Sequence, residues 1–556
     1  MTASPPTERP LEPNDPGGRG SDVETDTGNR LMAAPRVFLP AAGFLVLFTA
    51  LCVIFTEEAG DLIMAANDAV VGDLGWFYVA VVTGFVFFSL WIALSPMGSI
   101  VLAKNDDEEA EFGLFSWFAM LFAAGMGIGL VYWGVAEPLS HYSSPPPGTA
   151  DNGASAARNA SDVTLLHWGL HAWAIYVVVG LAIAYATHRK GRPISIRYAL
   201  EPLFGDKIKG WFGDVVDVIA IVGTLFGVAT SLGFGVQQVG SGLSYLGVVE
   251  EAGTPLLVGL IAIITAFALV SVLTGVDKGI RYLSNINMGL AGVLLLAVLL
   301  LGPTVFLLGD FITSIGSYLQ NFLRLSFDVR PFQGGEGQEW LGSWTTYYWG
   351  WWMSWAPFVG VFIARISKGR TVREFVMGVL LVPTLVTSLW FAIMGGSAIY
   401  AEMFGNGGLV GEDGVNTDTA LFQLFDTLPL STLLSVVALF LIVVFFVTSS
   451  DSGSFVVDML AEGGSLNPPA WSRAFWASME GVLAAVLLAA GGLAALQTMS
   501  ILVAAPFSII MVLMAVATAK ALLGENKVIQ RRKRKWLAEQ VANELRDSGE
   551  IPAIKK

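Results

Sequence analysis

Residues 430–456 read LSTLLSVVALFLIVVFFVTSSDSGSFV. A helix of about 20 apolar residues rises about 30 Å, the thickness of a bilayer's hydrocarbon core. This stretch is long enough to cross, and it ends in hydroxyls and an acid. Similar runs recur at Val37–Phe55, Leu74–Leu94, Leu114–Ala136, Leu165–Ala186, Val215–Leu246 and Leu256–Leu273. They continue at Met288–Leu308, Thr345–Ile366, Phe375–Ile399, Ala474–Leu493 and Ile501–Leu523. The reading is an all-α polytopic membrane protein of about twelve transmembrane helices.

Composition agrees. Of 556 residues, 54% are hydrophobic before 62 glycines are counted, and only 14% are charged. A soluble domain carries about 25% charged residues, so too few are present here to coat a water-soluble enzyme. The single cysteine, Cys52, excludes an intrachain disulfide. A net charge of −14 argues against nucleic acid as a partner. Residues 1–36 are polar and rich in Pro, Gly and acids, with no apolar core of a signal peptide. They are expected to form a disordered tail.

Lys and Arg crowd the connectors Arg189–Lys209, Lys278–Arg281, Arg365–Arg373 and the tail after Lys520. All four fall on one side if the N-terminus is cytoplasmic, whereas the opposite loops carry few basic residues. The positive-inside rule then places both termini in the cytoplasm.

Four spans carry more than packing. In the third, Gly125, Gly127 and Gly129 alternate ahead of Glu137. Each glycine weakens a helix by about 1 kcal/mol relative to alanine. Small-residue packing explains such a run; so does a broken helix whose carbonyls coordinate a cation. The fourth span holds Trp168, Trp173 and Tyr176 within one broad arc. His167 and His171 stand four apart there, but without a neighbouring third ligand they read as polar packing rather than a metal site.

The eighth span, WTTYYWGWWMSWAPF (Trp344–Phe358), holds five of the 17 tryptophans. An interfacial belt suits Trp344, Tyr347 and Tyr348. It suits Trp351, Trp352 and Trp355 poorly, since these run about two turns deeper. An indole wall inside a membrane binds quaternary ammonium at about 0.5–2 kcal/mol per face. In the tenth span, Thr448, Ser449 and Ser450 cluster beside Asp451. Backbone bonding is their ordinary use, but with carbonyls from the glycine segment they would also make a sodium shell.

At these motifs the chain resembles the betaine/choline/carnitine transporter family, most closely its sodium-coupled glycine betaine symporters. The motifs are GMGIGLVYWGVAEP (Gly125–Pro138), HWGLHAWAIY (His167–Tyr176), YWGWWMSWAPFVGVFIARISKGR (Tyr348–Arg370) and VTSSDS (Val447–Ser452). The resemblance implies two extra N-terminal helices (37–113), then LeuT-type inverted five-helix repeats at 114–308 and 345–523. An extracellular connector (309–344) separates the repeats, and a basic cytoplasmic tail (524–556) follows. It implies a trimer in a bacterial plasma membrane, with no cofactor beyond sodium as coupling ion. Trp168, Trp173, Tyr176 and Trp352 resemble the box around the trimethylammonium group. Trp349, Trp351, Trp355 and Phe362 resemble neighbouring substrate-path aromatics. Ala123, Met126, Phe445, Thr448 and Ser449 resemble one sodium site, and Thr224, Ser231 and Phe358 a second. Val228 departs from the second pattern, where another hydroxyl is expected. Gly129 stands where choline-type relatives tend to carry an acid, which favours a zwitterion such as glycine betaine.

Other readings are sodium-coupled ectoine or proline uptake, proton-coupled choline or carnitine uptake, or an osmosensor with transport activity. No GxxxxGK[ST] motif supports an ATP-driven pump, and Ser449–Asp451 alone is a weak nucleophile–base pair. Arg531–Lys535 followed by Trp536 reads as a topology anchor or as a basic helix on anionic lipid.

Overall fold

The computed structural model describes residues 32–125, 127–150, 152–274 and 277–547. Most of the expected N-terminal tail lies outside them, as does Met126. Helix dominates, and the described residues contain isolated β-bridges but no strand. In a bilayer this is required, because every backbone polar group must find its partner within the protein.

Pro35–Ile54 (α1) and Thr56–Leu94 (α2) open the chain. The third predicted span is broken into Leu114–Gly125 (α3) and Ile128–Ser143 (α4), as the alternating glycines suggested. The fourth is also interrupted. Gly153–Trp168 (α5) stops at Gly169, whose φ of −94° and ψ of −134° leave the helical region, and Leu170–Ala184 (α6) continues. A Cβ at 169 would lie 2.4 Å from the Leu165 carbonyl oxygen.

Short helices Ile196–Ala199 (α7) and Glu201–Phe204 (α8) lead into Trp211–Tyr245 (α9). Then come Thr254–Thr274 (α10), Asp277–Leu301 (α11) and Thr304–Ser326 (α12). The connector expected at 309–344 is therefore largely helical. Asn285–Leu301 and α12 meet at 113°, and α12 leaves Val305, Ile312 and Leu319 exposed. Gly334–Leu341 (α13) precedes Tyr347–Ile366 (α14), followed by Val372–Phe404 (α15), Ala420–Asp426 (α16) and Ser431–Ala461 (α17).

The last helix, Ala470–Asp547 (α18), carries both final predicted spans and the proximal tail. It turns at Gly491–Gly492, where φ is +65° at Gly492, a conformation that glycine adopts without steric cost. By length and apolarity, seven described helices could each cross a membrane, or eight if the bent pair is one span. The third predicted span is broken at the glycines, the seventh is bent and the last two run together in α18, whereas the fourth, although interrupted at Gly169, is one of the seven as Gly153–Arg189.

Burial separates the helices into a core and a shell. Along α14 every residue is buried except Phe362 and Arg365. It packs against α6, α9 and α18. By contrast α1 exposes Leu39, Leu47 and Ile54, the surface expected where lipid replaces water.

At the end of the bundle bearing the basic connectors, buried Asp217 accepts from Ser195 Oγ at 2.7 Å and Arg197 Nε at 2.5 Å. Glu525 of α18 pairs with Arg189 at 2.5 Å and Lys190 at 3.0 Å, and accepts from Tyr185 Oη at 2.6 Å. The proximal tail is thus tied back to the end of α6 beside a cavity of about 810 Å³.

Candidate functional site

The core helix α14 presents its aromatics to α4, α5 and α6. Trp351 and Trp352 stack with centroids 4.5 Å apart and planes 17° apart. Trp168, the last residue of α5, meets Trp352 at 4.8 Å and 73°. Across the break at Gly169, Tyr176 lies 6.4 Å from Trp352 and 5.5 Å from Trp173. The four residues proposed as a box therefore share one connected cluster. Such edge-to-face and offset contacts suit the quadrupole of aromatic rings.

The other path aromatics divide. Trp351 joins the cluster and also touches Phe234 at 5.0 Å. Trp355 reaches Phe358 at 5.5 Å and lies over Gly127, at the break between α3 and α4. Trp349 instead stacks on His171 at 5.5 Å. Phe362 is half-buried farther along α14, outside the ring cluster. Gly129 has a steric role: a Cβ there would sit 2.4 Å from the Trp351 ring. A side chain at 129 would displace the indole.

Beneath the rings lies a hub that the motif reading left without a role. Glu137 on α4 is fully buried. Its Oε1 accepts from His167 Nδ1 at 2.7 Å, and its Oε2 from Trp168 Nε1 at 2.5 Å and from the Tyr348 hydroxyl. His167 Nε2 lies 3.0 Å from Thr345 Oγ1, so the Nδ1–H tautomer satisfies both contacts. Trp352 Nε1 donates to the His167 carbonyl oxygen at 2.9 Å. One carboxyl group thus orients Trp168 directly and Trp352 through the end of α5.

This corrects two sequence expectations. Tyr348 is not an interfacial residue: it is completely enclosed and donates to Glu137. His167 does gain nearby ligand types, since Glu137, His141 and His167 place donor atoms within 4.8 Å. His171 is not among them. His167 already uses both nitrogens, and His141 Nε2, 3.4 Å from Glu137 Oε1, lacks hydrogen-bond alignment. His167, Trp168 and Tyr348 thus form a hydrogen-bonded network around Glu137. An acid directly after a glycine-rich membrane segment was the signal available in the sequence.

The residues expected to hold sodium lie on α3, α9, α14 and α17, with Met126 outside the described residues. Ala123 ends up on α3, whose side chains there fall outside the described set, and Met126 is not described. On α17, Phe445 is buried, and Thr448 and Ser449 are half-buried. Thr448 Oγ1 donates to the Val444 carbonyl at 2.9 Å, with the Phe445 carbonyl at 3.1 Å. Ile128, the first residue of α4, and Phe446 of α17 both pack over Gly235 of α9, so α17 runs close to the break. Thr224 and Ser231 bond back to the Ala220 and Gly227 carbonyls at 2.7 and 3.2 Å. Phe358 faces Trp355.

A helical bundle with a broken span, a buried aromatic cluster and half-buried hydroxyls beside the break has the parts of a membrane carrier. The chain matches, over residues 36–527, the family described as BCCT, betaine/carnitine/choline family transporter, and it belongs to that family. An uncharacterized transporter of Mycobacterium tuberculosis is 53% identical, covering 88% of this chain and 82% of its own. The glycine betaine transporter OpuD of Bacillus subtilis is 47% identical, covering 86% and 92%. A glycine betaine/proline/choline transporter of Vibrio parahaemolyticus is 39% identical, covering 89% and 91%. Members of this family are transporters, not enzymes.

The hub gives one prediction. Glu137→Gln would place an amide nitrogen among three donors, and unsatisfied buried groups cost about 1–3 kcal/mol each. The variant should melt earlier in detergent, with altered tryptophan emission, whereas Thr345→Val should lose about half as much. A Glu137→Gln protein as stable as wild type would show that the rings are positioned without it.

Proposed function

We propose that this protein imports glycine betaine, or a related quaternary ammonium zwitterion, by sodium symport, and that this serves osmoprotection. The observation that carries the reading is the connected cluster of Trp168, Trp352, Tyr176 and Trp173. Trimethylammonium offers no hydrogen-bond donor, and π faces are the ordinary way to hold it. The Trp351 and Trp355 indole nitrogens and the Tyr176 hydroxyl are buried and have no partner. They are donors suited to the carboxylate end of a zwitterion. Relatives named for glycine betaine support the same substrate class.

In the conformation described, the rings cover one another's faces at 4.5–4.8 Å. Substrate binding therefore separates Trp168 from Trp352, and movement of α5 against α14 accompanies it.

Sodium would be held by Thr448 and Ser449 with carbonyls of Ala123, Met126 and Phe445. Hydroxyls that now bond back to their own helix would turn to the ion. Thr224, Ser231 and Phe358 would form the second, weaker site, with Val228 contributing no oxygen. We place the protein in a bacterial plasma membrane, both termini cytoplasmic, as a homotrimer that light scattering of the solubilised chain would report. The basic tail would attract anionic lipid at about 1 kcal/mol per charge near the surface, an attraction that weakens as internal salt rises.

Trp352→Ala should weaken betaine binding about tenfold or more, the loss of a face worth roughly 1–2 kcal/mol. Trp344→Ala should leave it nearly unchanged. Tryptophan-fluorescence titration reads both, and equal affinities would remove the box assignment. Uptake into proteoliposomes should require sodium, and Thr448→Ala should raise the sodium concentration needed. Unchanged transport in potassium or choline chloride would sink the sodium coupling. Deleting residues 526–556 should spare binding but abolish activation in an osmolality series. A full-length activation profile in the truncated protein would reduce the tail to an anchor.

A further inference from the structure

Away from the aromatic cluster, one membrane-buried acid has no part in the mechanism above. Glu480, on the first half of α18, is completely enclosed. Its Oε2 accepts from Ser450 Oγ and Ser454 Oγ of α17, each at 3.1 Å. Both serines are buried, and Oε1 has no hydrogen-bond partner. Oε1 faces Gly453, where a Cβ would lie 3.1 Å from Oε1 and 3.1 Å from a Val228 methyl of α9. The glycine leaves a slot that the free oxygen faces.

Among the described residues, none brings a cation to Glu480. Among them, α17 also contributes Asp451, of the same sign as an ionised Glu480. α9 contributes the Val228 methyls, and α10 brings Thr265 against the neighbouring Gly481. An ionised carboxylate in an apolar interior is stable only when paired or fully hydrogen-bonded. Two hydroxyls on one oxygen do not meet that condition, whereas a neutral acid needs no counter-charge. Intramembrane acids with this environment mark ion or proton pathways.

We propose that Glu480, with Ser450 and Ser454, forms a proton-binding site separate from the substrate and sodium sites. Its discharge, Glu480–COOH giving Glu480–COO⁻ with the proton passed to water, slows transport. Discharge puts a negative charge into the packed α17–α18 interface, where two hydroxyls on one oxygen are its described hydrogen-bond donors. Ser450 follows Ser449 directly, so the strain falls on the helix that carries the proposed sodium oxygens.

Two measurements test this on the full-length protein in lipid. The first is infrared difference spectroscopy with pH stepped from neutral to alkaline. Wild type should lose a carboxylic-acid carbonyl band that Glu480→Gln never shows. In the Ser450→Ala/Ser454→Ala double variant the band should persist at a shifted frequency. Identical spectra for wild type and Glu480→Gln would overturn the site, and so would a band unmoved in the double variant. Loss of the wild-type band on adding sodium at constant pH, but not potassium, would overturn the proton in favour of a metal ion.

The second measurement is betaine uptake at saturating sodium. The wild-type rate should fall about tenfold per pH unit beyond the midpoint, the slope of one titrating group. Glu480→Gln should keep its neutral-pH rate across that range, and a parallel fall in both proteins would overturn the proposal. This second measurement rests on the transporter reading. Wild type that moves no betaine at any pH would count against that reading alone, because the infrared band still decides the proton site.

Discussion

The carboxyl group of Glu137 is the interaction on which the rest of the site depends. It is buried where no water competes, and three side-chain donors from α5 and α14 converge on it. Charge-assisted hydrogen bonds are strong and directional, and in a low-dielectric interior the cost of leaving one unmade is large. The group therefore fixes three helices relative to one another. The Trp168 indole and the end of α5 that receives Trp352 are set by the same contacts. Aromatic stacking alone would not choose their orientation, because ring pairs tolerate several offsets of similar energy.

Glycine does complementary work around that hub. At 129 it lets the Trp351 ring lie against α4, and at 227 a Cβ would approach Ser354 Oγ to 2.8 Å. With lipid outside, close approach of backbones replaces hydrophobic burial as the source of packing energy. Gly169 and Gly491–Gly492 do something different, since they interrupt helices instead of tightening contacts. The break at Gly169 offsets α6 from α5, and Tyr176 still comes within 6.4 Å of Trp352. A carrier has to change shape around its site, and helices with built-in interruptions are where that change costs least.

The two buried acids, Glu137 and Glu480, show how environment separates like groups. Glu137 meets donors on both oxygens. Glu480 meets two weak donors on one oxygen, while the other is unpartnered. The first arrangement suits a fixed charge that holds structure. The second suits a group that exists without charge until something forces it to discharge. Their contrast is one of hydrogen-bond supply, since both are equally buried.

Much of this was legible in the sequence. Long apolar runs, scarce charge and basic connectors define a polytopic helical protein, because bilayer thickness dictates segment length and backbone polarity dictates helix. The tryptophans of 344–358 and the glycines of 125–129 marked the region of the aromatic cluster and the broken span. What periodicity could not supply was contact between segments distant in sequence. Tyr348 looked interfacial because membrane tyrosines usually are, yet a partner on α4 holds it in the core. The halves of α18 read as two spans, and the non-helical backbone at Gly491–Gly492 divides them there. Glu480 sat unremarked in an apolar run, for its meaning comes from two serines and a glycine on another helix. Sequence alone determined which segments must be helical and apolar, since those are local demands of the solvent. Tertiary structure decided which polar groups are satisfied, since a hydrogen bond depends on where the partner lies in space and not on how far away it is along the chain.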